Sequence, residues 1–224
     1  MVLYCDTTVE FPEMYDHIKK VESFIGIPIT KLSANHSYEY YLLEHMKKTR
    51  TGEFVKGYSF AGTRSRWCTS KLKTDVFNRF LSELKDKYNV IQYVGIALDE
   101  QWRIKDLNYP FVDWGCTEAD CLQYCYDKGF DFGGLYEIFH RVSCWCCPLQ
   151  SLDELRNLRK NFPDLWNQLQ EWQLKTWRKF RADFSVQELE IRFSLEDEWI
   201  ADGKDINPKK EAFRKELKRR LERS

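Results

Sequence analysis

A strand–helix–strand run at the start of the chain constrains its fold more than any other feature. Val2-Leu3-Tyr4-Cys5 is a short apolar run that ends at the polar turn Asp6-Thr7-Thr8, the pattern of a strand. Pro12 suits a first helical turn, where its missing N–H costs no hydrogen bond. Met14, Ile18, Val21 and Ile25 then recur at helical spacing, and Gly26 supplies the stop. Ile27 to Leu32 reads as the next strand. Strands joined through a helix pair in parallel, because parallel neighbours need a crossover of this length. The expectation is an α/β chain built on a parallel sheet.

The same reading continues downstream. Ser37 caps a helix to about Lys48, and a loop with three glycines runs from Thr49 to Arg66. A helix is predicted from Cys68 or Thr69 to Tyr88. Val90 to Ile96 reads as a buried strand, and Tyr109 to Trp114 as a shorter one. Thr117 with Asp120 resembles a capping box, opening a helix that ends near Lys128. Beyond Pro148 the pattern is helical, with breaks near Pro163, Asp183 and Pro208. This gives an α/β domain over 1–150 and a helical C-terminal extension over 151–224.

Charge excludes more than it proposes. With 35 basic and 35 acidic residues the chain has no net charge at pH 7, so nothing global favours nucleic acid or a membrane surface. Locally, Lys204 to Arg223 holds nine basic and four acidic residues, a basic tail. No stretch approaches the roughly 20 apolar residues of a membrane span, and Met1 to Glu10 is not a signal peptide. A cytoplasmic location follows as the expectation. There the eight cysteines would stay reduced, and would act as ligands, nucleophiles or core residues.

The strongest chemical signal is Ser143-Cys144-Trp145-Cys146-Cys147-Pro148. Cys144 and Cys147 form a C-x-x-C pair whose sulfurs can grip one metal from a tight turn. Ligand sets need three or four thiolates, and Cys68 is the best further candidate, flanked by Arg64, Arg66 and Lys71. Spacing leaves an iron–sulfur cluster, a zinc site and a redox pair all open. Cys5, Cys116, Cys121 and Cys125 read as core residues, since cysteine often serves as a small hydrophobe. His140, four residues before Cys144, is a minor metal-ligand candidate. In open parallel sheets ligands bind beyond the carboxyl ends of strands. Asp6 and Thr7 occupy one such end and Arg103 follows another, offering acceptors for ribose and a cation for phosphate or sulfate.

Several segments in order resemble the phosphoadenosine phosphosulfate reductase-like family. Asp6-Thr7-Thr8-Val9-Glu10-Phe11-Pro12-Glu13 is similar to its "DTGxEFPE" segment. Gly95 to Arg103 is similar to its later "GxRxxES" segment with a following Arg, and Tyr109-Pro110-Phe111-Val112-Asp113-Trp114 to its "YPLxxW" segment. The basic stretch around Cys68 and Lys71 has a counterpart too, and bacterial and phage-type members carry an "SCWCCP"-like run. The resemblance covers Val2 to about Gln150. It implies a doubly wound, three-layer parallel sheet of the adenine nucleotide alpha hydrolase-like type. It further implies an adenine nucleotide or sulfonucleotide bound by Asp6, Thr7, Arg64, Arg66, Lys71 and Arg103. An iron–sulfur cluster on Cys68, Cys144 and Cys147 is implied as well, with Cys146 as a fourth ligand or a spare and zinc as the alternative. A reductant protein would be a partner. Relatives that thiolate DNA or tRNA suggest a second function, which the basic tail favours. A third is a non-catalytic, metal-stabilised accessory subunit.

The chain also departs from the family pattern. It begins directly on the second family strand, without the Ser-Gly-Gly-x-Asp phosphate loop, and has no C-terminal Glu-Cys-Gly segment. Ala97 or Leu98 stands where the family has Arg. These departures weigh against reductase activity of the chain by itself. They lead to the expectation that an upstream segment, or another part of the chain, fills the place of the first strand.

Overall fold

The computed structural model describes residues 1–49, 51–207 and 211–223. In chain order the elements are β1 (Val2–Asp6), α1 (Pro12–Ile25), β2 (Ile29–Ser33), α2 (Tyr38–Leu43), β3 (Met46–Lys48) and β4 (Phe54–Lys56). Next come α3 (Trp67–Thr69), a π-helical turn over Ser70–Thr74, α4 (Asp75–Lys85), a 3-10 segment at Leu98–Arg103, α5 (Pro110–Asp113) and α6 (Glu118–Asp127). A second 3-10 turn (Phe132–Gly134) leads to α7 (Leu135–Ile138), α8 (Leu152–Asn161), α9 (Pro163–Lys175), α10 (Val186–Ala201) and α11 (Glu211–Leu221). The protein is thus mixed α/β with small sheets. It folds as two compact units: unit 1 comprises 1–34 and 70–142, and unit 2 comprises 35–69 and 143–224. Residue 150, the expected domain boundary, lies inside unit 2.

Unit 1 holds the β1–α1–β2 motif. Its strands pair in parallel with Val2 opposite Ile29 and Asp6 opposite Ser33, as the spacing predicts. Pro12 stands at the start of α1, and Gly26 closes it in the left-handed conformation, its N–H donating to Glu22. Phe11, fully buried, packs its ring 4.9 Å from that of Phe139. Leu72, Val76 and Leu81 supply further core. The capping box of Thr117 and Asp120 forms as expected at the head of α6.

Two expected strands of unit 1 are not strands. Between 90 and 96 the only ladder contact described is the isolated parallel bridge of Tyr93 with Asn108, and Ile91 and Tyr93 are exposed. Alternate side chains that face water do not make a buried strand. At 109–114 the chain turns helical, because Pro110 sits at the first position of α5 with its φ already set for a helix. Among the described residues the parallel sheet extends no further than β1 and β2.

Unit 2 packs helices around an aromatic and leucine core that includes Phe60, Leu155, Leu158, Trp166, Leu169 and Phe193. Ser37 caps α2 as expected, its Oγ accepting from the Tyr40 N–H. The helix ends at Leu43, short of the predicted Lys48, because Met46–Lys48 turns back against Phe54–Lys56 as an antiparallel hairpin. The predicted breaks near Pro163 and Asp183 fall at the start of α9 and between α9 and α10. The one near Pro208 lies outside the described residues. No helix among the described residues is long and apolar enough to cross a membrane.

Candidate functional site

Unit 2 draws the four candidate thiols together from two distant segments. Cys68 is the second residue of α3, and Trp67 before it is anchored in the core, its Nε1 donating to the Ser59 carbonyl at 2.9 Å. Cys144, Cys146 and Cys147 lie on a tight turn closed by the Cys147 N–H donating to the Cys144 carbonyl at 3.0 Å. Trp145 in that turn stacks on Trp172 of α9, with centroids 5.0 Å apart. The Trp172 Nε1 in turn donates to Glu39 at 2.9 Å. Both halves of the thiol set are therefore held by buried tryptophans.

Tyr38, the first residue of α2, stands at the centre of this arrangement. Its buried hydroxyl is set against Cys146, and its ring packs 5.0 Å from Trp67 and 5.7 Å from Trp172. Burial pushes the Cys146 thiol well above its ordinary value. Negative charge on Cys144, Cys147 or Cys68 raises it further, while the Tyr38 hydroxyl works the other way. The same burial, with Cys146 and Cys68 nearby, raises the Tyr38 phenol. Cys146 is thus a neutral interior thiol, whereas Cys68, Cys144 and Cys147 are half-buried.

As donors, clustered soft sulfurs suit an iron–sulfur cluster or zinc. Among the described residues, however, no three His, Cys, Asp or Glu side chains stand in positions that hold a metal ion. All eight cysteines are free thiols. His140 is exposed and belongs to unit 1, whereas Cys144 belongs to unit 2.

The expected nucleotide-binding residues divide between the units. Arg64 and Arg66 belong to unit 2, beside Cys68 in sequence, and both are exposed. Arg64 rides on a turn closed by reciprocal backbone bonds between Gly62 and Ser65. Asp6, Thr7, Lys71 and Arg103 belong to unit 1. Asp6 and Thr7 end β1, and the π turn carrying Lys71 packs on that strand. The Asp6 carboxylate already has three donors: the Thr8 N–H at 2.8 Å, the Tyr15 hydroxyl at 2.9 Å and Lys31 Nζ at 3.2 Å. Burial and the Asp6 bond raise the Tyr15 phenol. Thr7 donates to Glu10 at 2.8 Å, Lys71 pairs with Asp75 at 2.8 Å, and Arg103 pairs with Glu100 at 2.6 Å. In the basic tail, Arg219 and Arg220 are likewise neutralised by Glu216 and Glu198.

Sequence reasoning missed Tyr38, which carries no motif, and the cations of the α9–α10 loop. The run Trp177-Arg178-Lys179-Phe180-Arg181 at a predicted helix break was the available signal for that loop.

Two proteins of Methanocaldococcus jannaschii are similar to the chain. Uncharacterized protein MJ0066 is 25% identical over 224 residues, covering 90% of this chain and 39% of its own length. Uncharacterized protein MJ0973 is 26% identical over 236 residues, covering 99% of this chain and 49% of its own. The chain therefore spans about half or less of these relatives. No family model matches it, and no solved structure does.

Proposed function

We propose that this chain belongs to a phosphoadenosine phosphosulfate reductase-like protein of sulfur metabolism, with Cys68, Cys144 and Cys147 holding an iron–sulfur cluster and Cys146 completing the thiol set. The observation that carries this reading is the convergence on Tyr38 of Cys68 with the distant Cys144-Trp145-Cys146-Cys147 turn. Chance packing explains one buried cysteine well, but three acting on one phenol from two distant segments poorly. Zinc is the alternative occupant of the same sulfurs.

When bound, a cluster would tune the charge of a sulfur-bearing substrate or carry sulfur, with redox properties set by its thiolates. The chain's own residues do the rest. Trp67, Trp145 and Trp172 shield the inner side of the thiols, which strengthens the charge interactions there. Arg64 and Arg66 offset anionic charge beside Cys68. In unit 1, Asp6 fixes the turn at the carboxyl end of β1, where an adenine nucleotide is placed on this reading. Thr7, Lys71 and Arg103 exchange their present carboxylate partners for its hydroxyls and phosphates.

On the same reading β1–α1–β2 is the kernel of a doubly wound, three-layer sheet, supported by its parallel register. The eight free thiols fit a reducing cytoplasm.

Iron and acid-labile sulfide, measured on protein purified without oxygen, test the proposal. Stoichiometric iron and sulfide, lost on Cys144→Ala, support it. Zinc alone favours a structural metal site, and no metal at all removes the cluster from the account.

A further inference from the structure

We infer that unit 2 carries an oxyanion-binding cleft of its own, which takes a small phosphate- or sulfate-bearing molecule. The cleft has a volume of about 1010 Å³ and lies between the Gly62–Ser65 turn, the segment that follows the cysteines and the α9–α10 loop. That size is at the upper end of cavities that enclose small ligands, roughly 300–1,000 Å³.

Four cations line it, Arg64, Arg178, Lys179 and Arg181, against two carboxylates, Glu154 and Asp183. Their pairing is uneven. Lys179 is held by Glu188 at 2.7 Å, outside the cleft. Arg181 is held by Asp183 at 2.9 Å and donates to the Gln150 carbonyl at 2.6 Å. Glu154 is occupied as the capping-box acceptor at the head of α8, taking the Ser151 N–H at 2.8 Å. Among the described residues no carboxylate pairs with Arg64 or Arg178, though Arg178 also lies 6.0 Å over the Trp177 ring, so neither guanidinium is neutralised by a carboxylate. They share one wall: Arg178 Nη1 reaches to 4.0 Å from where a Cβ on Gly62 would stand, two residues before Arg64. Guanidinium forks match the geometry of phosphate and sulfate oxygens.

A second observation points the same way. Gln150 lines the cleft and is only 4% exposed. Its Nε2 faces Ser143 Oγ and the Cys144 carbonyl, which fixes the amide's orientation. Its Oε1 is then left buried with no hydrogen-bond partner among the described residues, a position costly to leave unmade. A ligand hydroxyl or amine, admitted by a small shift of the Gln150 side chain, would satisfy it. The occupant is thus an anion that also carries a donor, such as a sugar phosphate or a nucleotide. A nucleic-acid strand fits less well, because the lining aromatic, Phe180, is buried and offers no stacking surface.

This cleft shares only Arg64 with the function proposed above and contains no cysteine, so either can fail alone. The test is calorimetric titration of the whole chain with inorganic phosphate, ribose 5-phosphate and a ten-nucleotide single strand. Saturable binding of phosphate is expected, tighter for ribose 5-phosphate. Arg64→Gln should weaken it about tenfold, as loss of one charge-assisted bond does, and Arg178→Gln similarly. Arg219→Gln should leave it intact. Should Arg178→Gln fail to fold, the exposed Arg64 suffices as the test. No saturable binding, undiminished binding by Arg64→Gln, or binding of the oligonucleotide alone would overturn the inference.

Discussion

The indole of Trp145 stacks on that of Trp172, centroids 5.0 Å apart and planes 27° from parallel, so the cysteine turn is pinned to α9. Both rings are buried. Trp172→Ala removes the stack, the contact to Tyr38 and the hydrogen bond to Glu39 together, and should cost about 3–5 kcal/mol in denaturant unfolding. Trp172→Phe keeps most of the packing and should cost clearly less.

Glu196 is 1% exposed and accepts from Arg156 Nε at 2.6 Å and Arg192 Nε at 2.8 Å. Glu196→Ala strands the buried Arg192 guanidinium and leaves Arg156 with Asp153 alone, and should destabilise by roughly 3–5 kcal/mol. Replacing all three residues with apolar ones of similar volume should cost far less than that single change, which a chemical-denaturation series would read.

Gly57 has φ +71°, and a Cβ there would lie 2.3 Å from the Leu42 carbonyl oxygen. The backbone at α2 and the β3–β4 hairpin has no room to give. Gly57→Ala should therefore destabilise by more than the ~1 kcal/mol of left-handed strain alone, with a lowered melting temperature as the readout.

Glu216 is held at about 2 by hydrogen bonds first from Arg219 and then from Arg220. Its folded-state pKa is depressed, so its contribution is fully present above the ordinary glutamate range and is lost as pH falls from about 4.5 towards 2. Carboxyl titration by NMR should place Glu216 well below the ordinary glutamate range. Arg219→Ala should move it back up. The ion-pair cluster lies at the surface, with Glu216 partly exposed, so the effect should shrink in salt.

What the sequence made legible was what local chemistry decides. Pro12 and Gly26 bound α1, Ser37 and Thr117 cap their helices, and the two apolar runs flanking α1 pair in parallel. What it hid depended on partners far along the chain. Val90 to Ile96 has the composition of a strand, but its ladder stops at the single bridge of Tyr93 with Asn108. Tyr109 to Trp114 reads as apolar strand until Pro110 sets a helical turn. At the thiols, C-x-x-C spacing exposed Cys144 and Cys147, and the basic flank exposed Cys68. Tyr38 was invisible, since its role comes from the packing of α2 against segments more than 100 residues away.

Electron paramagnetic resonance of anaerobically purified, dithionite-reduced protein tests the central claim most directly, with Cys68→Ala and Cys144→Ala compared with Cys121→Ala. The account predicts an iron–sulfur signal that is lost or altered in the first two variants and unchanged in the third. Protein free of iron, or a signal indifferent to both Cys68 and Cys144, would contradict it.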